Sequence, residues 1–390
     1  DSWYSGNMSQ ERRLIETTPE SEQQIDASDA AHASNAEDAL AVEGEKPPTL
    51  KNFITKTSKS QSTGDTNPPV SRPAPPDDIM SSLRMAVAHH NRLARGQQTK
   101  SNPMVLDVCS GMGGFSIAAQ TVSWNIVAGV DRCHTLPHWH YQNHSHPLIT
   151  ADITKEKDRD AIVHHLGGLI EIVLLSPPCQ PFSSGGLNRT GDPRADVAAA
   201  GTELILKLKP SLAIIDNFRG FTNSSSNTVY QDFIRPSLQK AGYHITTARC
   251  NASQCSVPQN RPRVFVVCSL YKRDNELQAH MKHLAKRPEM ALSNWFPELQ
   301  FVHHLPCKNS PAVINASRKP SPAVRTASYN HLDVETYRPR HGDAAPIGKS
   351  QALTVEQRTK LAGMPDDWNW PEVSIPACEK PECCGKRVFQ

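Results

Sequence analysis

Apolar residues in this chain come in short runs separated by stretches with helical spacing. The runs MVLDVC, NIVAGVD, HPLITADI, IEIVLLS, PSLAIIDN, HITTARC and RVFVVCSL read as strands. Several lack polar alternation, the pattern of strands buried on both faces. Continuous apolar strands alternating with helices predict an α/β fold: a mostly parallel, Rossmann-like sheet covered by helices on both faces. Upstream, Met80, Leu83 and Val87 in DDIMSSLRMAVAHHNRLARG recur at helical spacing and predict a lead-in helix within 77–100.

The rest of the chain divides by composition. Residues 1–76 are rich in Ser, Thr, Glu, Gln, Ala and Pro and close on NPPVSRPAPP, so they read as a disordered acidic and proline-rich tail, a linker or a segment for protein partners. The strand and helix rhythm fills 101–270. Residues 271–320 break it, with Lys, Arg, His and Pro and no strand period, and are expected to form a small separate module. Residues 321–370 return to the main domain, and 371–390 form a diverged or truncated end. The first residue, Asp1, is not Met, which fits a fragment or a processed product.

With 390 residues, 37% of them hydrophobic, the chain can bury one large domain with a small satellite. No apolar run is long enough to cross a bilayer, and the amino terminus lacks the pattern of a secretion signal. Ten irregularly spaced cysteines read as reduced thiols. Cys378, Cys383 and Cys384 match no usual zinc spacing, so no metal is expected. The net charge of +3 conceals an asymmetry: residues 1–50 hold eleven acidic and three basic side chains, which leaves +11 on the remainder. A basic body suits a polyanionic partner, although a solvated basic surface has the same composition.

Candidate chemistry sits at the carboxyl ends of the strands. After the first strand comes DVCSGMGGF, followed by the helical SIAAQTVSW. Gly111, Gly113 and Gly114 permit a tight turn with close backbone approach, and the helix start offers free N–H groups to a carboxylate or phosphate. Such turns also occur without ligands. Asp131 ends the second strand 24 residues beyond Asp107, where dinucleotide folds hold ribose hydroxyls, and Asp152 with Ile153 ends the third. Successive acids there point to an adenosine ligand, against the plainer reading of solvated loop carboxylates.

The fourth strand runs into SPPCQPFS, a thiol between prolines that stiffen its turn, opening a Ser- and Gly-rich loop. The fifth ends in DNFRG, and VPQNRPR precedes the last strand. Singly these are a packed Cys, a capping Asp and a surface Arg pair. Together they supply a nucleophile, a proton donor and anion contacts.

The blocks DVCSGMGG, SPPCQPFS, DNFRGF and VPQNRPRVFVV, in this order and spacing, resemble the signature motifs of cytosine C5-specific DNA methyltransferases, and ALTVEQRTKLAGMPDDW resembles the family's late helix and loop. The likeness covers residues 104 to about 370. It implies a class I methyltransferase sheet, S-adenosylmethionine as cofactor, double-stranded DNA as partner, and methyl transfer to carbon 5 of a flipped cytosine. Cys179 would add to carbon 6. Asp216 would meet N3 and the exocyclic amine, with Arg261 and Arg263 lowering the thiol pKa. Cofactor contacts would come from Asp107, Cys109, Ser110, Gly111, Gly113, Gly114, Phe115, Asp131, Asp152, Ile153 and Pro177. Gln180, Ser183, Arg194, Gln259 and Arg325 would contact substrate. The stretch from Ser183 to Arg194 would close over the flipped base, and residues 271–320 would be a short target-recognition region supported by SPAVR.

Three features depart from the family pattern. Asp216 stands where the family has glutamate, one methylene longer. Cys109 replaces an aromatic that packs on adenine. The closing Gly-Asn-Ala-Val-like motif is missing from PEVSIPACEKPECCGKRVFQ, and the helix of 77–96 is a candidate for its place, as in a permuted member. Two rivals follow: an RNA cytosine methyltransferase, which usually carries a Cys-Phe-Thr signature not found here, and an inactive DNA-binding relative. A monomer is expected, nuclear if the source is eukaryotic and cytoplasmic otherwise.

Overall fold

Seven strands form where the apolar runs lie: β1 Met104–Val108, β2 Asn125–Asp131, β3 Leu148–Thr150, β4 Ile172–Leu175, β5 Leu212–Asn217, β6 His244–Asn251 and β7 Pro262–Ser269. The computed structural model describes residues 78–96, 102–178, 195–223, 229–272, 274–304, 312–323 and 341–369. The strands make one sheet in the order β3-β2-β1-β4-β5-β7-β6. β1 to β5 are parallel, and β7 inserts antiparallel between β5 and β6. This is a Rossmann-like sheet of the class I methyltransferase type. The order reverses beside β1, so the ends of β1 and β4 diverge into a crevice, the usual ligand position in an open α/β sheet.

Central strands are buried throughout; all five residues of β1 and all four of β4 are inside. β6 at the edge alternates exposed and buried positions, which explains the polar alternation of HITTARCN. Helices α1 Ile79–Gly96, α2 Gly114–Thr121, α3 Leu136–Asn143, α4 Glu156–Leu166, α5 Ala195–Leu208 and α6 Arg235–Lys240 surround the sheet. The main core joins Leu106, Val108, Val130, Ile149, Leu204, Ile215 and Val264 with Leu83 and Ala86 of α1.

The lead-in helix starts where Asp78 accepts hydrogen bonds from the Ser81 amide at 2.8 Å and its hydroxyl at 2.7 Å. Its buried face, Ser82, Leu83, Ala86 and His89, has helical periodicity and packs on β2, β3 and α4.

Beyond the sheet lies a second, smaller core of Leu292, Phe296, Leu299, Val302, Ile314 and Ala316. It is built from the turn Leu292–Asn294, an antiparallel pair of Phe301–His303 with Val313–Asn315, and a late helix that contributes Leu361. Helix α7 Asp274–Ala285 packs on β6, and the late helix is α8 Val355–Leu361. A capping box of Thr354 and Gln357 starts α8. No helix among the described residues is long and apolar enough to cross a membrane, and Cys109, Cys133, Cys250, Cys255 and Cys268 are free thiols.

Candidate active site

The turn leaving β1 is left-handed at Cys109 (φ 56°), Gly111 (φ 53°) and Gly113 (φ 81°). Glycine adopts this at no cost, whereas Cys109 is held there against its preference. The holding bonds come from the neighbouring strand: Ser110 donates its amide to the Val130 carbonyl at 3.1 Å, and Gly111 donates to Asp131 Oδ2 at 3.0 Å. The other oxygen of Asp131 accepts the Cys133 amide at 3.0 Å. Both carboxylate oxygens of Asp131 therefore shape the turn, and burial raises its pKa.

Asp107, fully buried at the end of β1, binds the start of α2. Its Oδ2 accepts the Ser116 amide at 3.0 Å and hydroxyl at 2.7 Å. Its Oδ1 and the Ser110 hydroxyl have no partner. Burial pushes Asp107 to about 7. Orphaned buried polar atoms under a strained glycine turn are what a ligand with an amino or hydroxyl group would satisfy.

Asp152 accepts from the amide and hydroxyl of Thr154 at 3.1 and 2.7 Å, which closes its loop. Ile153 packs in the main core, its carbonyl held by Arg159 at 2.7 Å. Phe115 lies half-buried on α2 with its ring 6.3 Å from that of Phe265 on β7. The Gly114 position is open, with nothing within 4 Å of an added Cβ.

Across the crevice, Asn217 at the end of β5 donates its side-chain amide to the Pro177 carbonyl at 3.2 Å, while Ser176 donates to the Val108 carbonyl at 3.0 Å. The β4 turn is thus fixed from both sides just before Cys179. Asp216 Oδ1 lies 3.7 Å from Arg263 Nε, with both side chains mostly buried, and makes no hydrogen bond. Burial raises the Asp216 pKa, opposed by Arg263 and Arg261. Arg261 donates its amide to Asn251 Oδ1 at 2.8 Å. Gln259 points inward: it is buried and donates its side-chain amide to the Leu361 carbonyl at 2.7 Å. Cys179, Gln180, Ser183, Arg194 and Arg325 lie outside the described residues.

The C-5 cytosine-specific DNA methylase family profile matches residues 104–306, just over half of the chain, and spans the glycine turn, Asp216 and the arginine pair. This chain belongs to the C-5 cytosine-specific DNA methylase family. It is 24% identical over 268 residues to type II methyltransferase M.HgiDI of Herpetosiphon aurantiacus, covering 68% of this chain and 84% of that one. To M.HindV of Haemophilus influenzae it is 25% identical, covering 56% and 71%. Among solved structures, the Entamoeba histolytica methyltransferase EhMeth aligns with a TM-score of 0.41 and 21% identity over 54% of this chain and 63% of that one. The Schizosaccharomyces pombe (S. pombe) Dnmt2 methyltransferase aligns at 0.39 and 20%, over 50% and 59%. The two sequence relatives are bacterial, so they lend no support to the nuclear expectation.

Two features of this C-5 methylase escaped the sequence reading. Asn217 was legible only as a neighbour of Asp216, since its partner is on another strand. The second is a buried cluster of His140, His144 and His146, with ring centroids 4.7 to 4.9 Å apart. His144 Nε2 bonds the Met112 carbonyl at 3.0 Å, and an added Cβ on Gly113 would meet that nitrogen at 2.4 Å. The spacing HYQNHSH is the only trace in sequence. No group of three or more His, Cys, Asp or Glu among the described residues is arranged to hold a metal. The cluster is a neutral packing support under the glycine turn, braced by Trp368 against His144 and by paired hydrogen bonds between Asn143 and Asn369 at 2.9 and 2.7 Å.

Proposed function

We propose that this chain transfers a methyl group to carbon 5 of cytosine in double-stranded DNA, with S-adenosylmethionine as donor and Cys179 as nucleophile. The observation that carries the reading is the Asn217 bond to Pro177 beside the Asp216–Arg263 pair. It places a mostly buried acid at the strand end next to the turn that leads to the PPC thiol.

The cofactor fits the β1 end of the sheet. Asp107 Oδ1 and the Ser110 hydroxyl are unpartnered acceptors or donors there, Gly114 leaves open space, and the start of α2 suits a carboxylate. Asp131 and Asp152, each with residual lone pairs, stand where ribose hydroxyls would come. S-adenosylmethionine supplies the electrophilic methyl group when bound.

Carbon 5 of cytosine is a poor nucleophile, so the thiolate of Cys179 adds to carbon 6 and puts electron density on carbon 5. Charge develops at N3 as this happens. Burial, which raises the pKa of Asp216, favours its protonated form, and a protonated acid can donate a hydrogen bond to N3. Arg263, 3.7 Å away, then steadies the carboxylate when the proton has moved. After methylation a base removes the carbon 5 proton, and elimination frees Cys179. The target atoms lie inside the base stack, so the base is extruded. Residues 271–320 form the target-recognition region.

Transfer of radiolabelled methyl groups from S-adenosylmethionine to duplex DNA and to tRNA tests the reading. Label in DNA that digestion locates at 5-methylcytosine supports it; label in tRNA alone, or cofactor binding without transfer to either, overturns it.

A further inference from the structure

The segment after α8 crosses back to the cofactor end of the sheet, and the chemistry proposed above makes no use of it. Leu361, the last residue of α8, is buried in the smaller core, and its carbonyl accepts the Gln259 side-chain amide at 2.7 Å. A short way on, the Trp368 ring meets that of His144 edge to face, with centroids 5.6 Å apart. We propose that Trp368 and Asn143 are positioning residues for the glycine turn: they clamp the segment after α8 onto α3 and fix, through His144, the backbone that would hold the cofactor.

The link from the smaller core to Trp368 is short and stiff. Gly363 takes a left-handed φ of 83°, which lets the chain close the end of α8 twice. Gly363 donates its amide to the Lys360 carbonyl at 3.0 Å, and Met364 donates to the Thr359 carbonyl at 3.3 Å. These are the paired bonds of a Schellman turn. Met364 is buried beyond it, and the Trp368 amide closes a further turn on the Pro365 carbonyl at 3.1 Å. The direction in which Trp368 leaves is therefore set by backbone bonds.

On the opposite side, the Asn143 side chain grips the Asn369 backbone by both of its polar groups. Oδ1 of Asn143 accepts the Asn369 amide at 2.7 Å, and Nδ2 donates to the Asn369 carbonyl at 2.9 Å. The same Nδ2 donates to the Trp139 carbonyl at 2.9 Å, which anchors the clamp in α3. An isolated tryptophan contact could slide; one locked by a pair of backbone bonds beside it cannot.

His144 passes the constraint on. Its Nε2 lies 3.0 Å from the Met112 carbonyl; a carbonyl only accepts, so this nitrogen carries the proton. Met112 stands between Gly111 and Gly113, whose left-handed φ values glycine leaves as readily as it adopts. A turn of such residues needs an outside hold, and His144 also fills the space beside Gly113, where an added Cβ would meet Nε2 at 2.4 Å. Without Trp368 the His144 ring loses one flank and turns away from Met112. The effect on cofactor binding rests on the reading of the β1 end as an S-adenosylmethionine site; the effect on the turn does not.

Amide hydrogen exchange of the full chain without ligand reads the turn directly. In Trp368→Ala and in Asn143→Ala, the peptide spanning Ser110 to Phe115 exchanges about tenfold faster than in wild type, while β5 and β7 keep their wild-type rates. Trp368→Phe keeps a ring against His144 and restores slow exchange. By calorimetry S-adenosylmethionine binds both alanine variants about tenfold more weakly, and the loss in turnover falls on the cofactor KM and not on kcat. A folded Trp368→Ala chain whose turn exchanges like wild type overturns the proposal. So does exchange that quickens equally in β5 and β7, or a loosened turn with unchanged cofactor affinity. If the wild-type chain binds no cofactor, turn exchange still decides for or against the clamp, and the cofactor reading is what fails.

Discussion

Asn217 donates its side-chain amide to the Pro177 carbonyl at 3.2 Å, from a site only 3% exposed. Its own Oδ1 accepts the Phe218 amide at 2.9 Å. The residue therefore ties the end of β5 to the turn that precedes Cys179. Replacing Asn217 with Ala orphans a buried carbonyl and amide, at a cost of about 1–3 kcal/mol. Denaturant unfolding reads that loss. Methyl transfer falls by a larger factor than stability explains, about a hundredfold, because a misplaced nucleophile is costly. Unchanged turnover in the folded variant would remove Asn217 from the positioning role.

Asp216 keeps its volume but loses its proton in Asp216→Asn. General acid contributions are about a hundredfold or more, so kcat falls by that factor while cofactor affinity holds. The pH profile of the wild-type rate loses its acid-dependent limb in the variant. A kcat within twofold of wild type would show that another group meets N3.

Gly113 and Gly114 are adjacent and answer differently to alanine. At Gly113 φ is +81°, and the new Cβ meets His144 Nε2 at 2.4 Å within a packed histidine cluster. The left-handed backbone alone costs about 1–2 kcal/mol, and the clash adds to it. At Gly114 nothing lies within 4 Å, so Gly114→Ala melts with wild type. Thermal unfolding of both variants checks the contrast.

His140, His144 and His146 are held neutral by burial, His140 with its pKa down at about 3. The unfolded chain binds protons near 6.5 and the folded chain does not. Their stabilisation is therefore full above about 6.5 and is lost as pH falls. Asp107, raised to about 7, acts in the opposite sense, gaining stability as pH falls from 7 towards 3.8. Neither ring nitrogen of His146 has a partner, so His146→Leu removes buried polar atoms at little cost in packing. The variant is as stable as wild type at pH 8 and more stable at pH 5, a difference in which Asp107 cancels. A parallel pH dependence in the two chains would contradict the neutral cluster.

Much of this was legible in the residues. The runs located all seven strands: central β1 and β4 are covered on both faces and leave no polar positions to confuse the pattern, whereas edge strand β6 alternates. The helix of 77–100 was legible from Met80, Leu83 and Val87, whereas the Ser81 bonds to Asp78 that start it were not read. Gly111 and Gly113 adopt the left-handed turn that only glycine makes freely. What the sequence did not yield is contact across strands. Gln259 was expected at the substrate and instead gives its amide to Leu361, 102 residues away. Residues 301–303 and 313–315 are too short for a period to register, and Leu361 joins their core from far along the chain.

The most direct test of the central claim uses a duplex carrying 5-fluorocytosine. Fluorine at carbon 5 cannot leave as a proton does, so a nucleophile on carbon 6 stays attached after methyl transfer. With S-adenosylmethionine present, the account predicts a covalent protein–DNA complex that survives denaturing electrophoresis, maps to Cys179 and disappears in Cys179→Ala. A folded, cofactor-binding wild-type chain that forms no such complex, or one that forms it equally without Cys179, would contradict it.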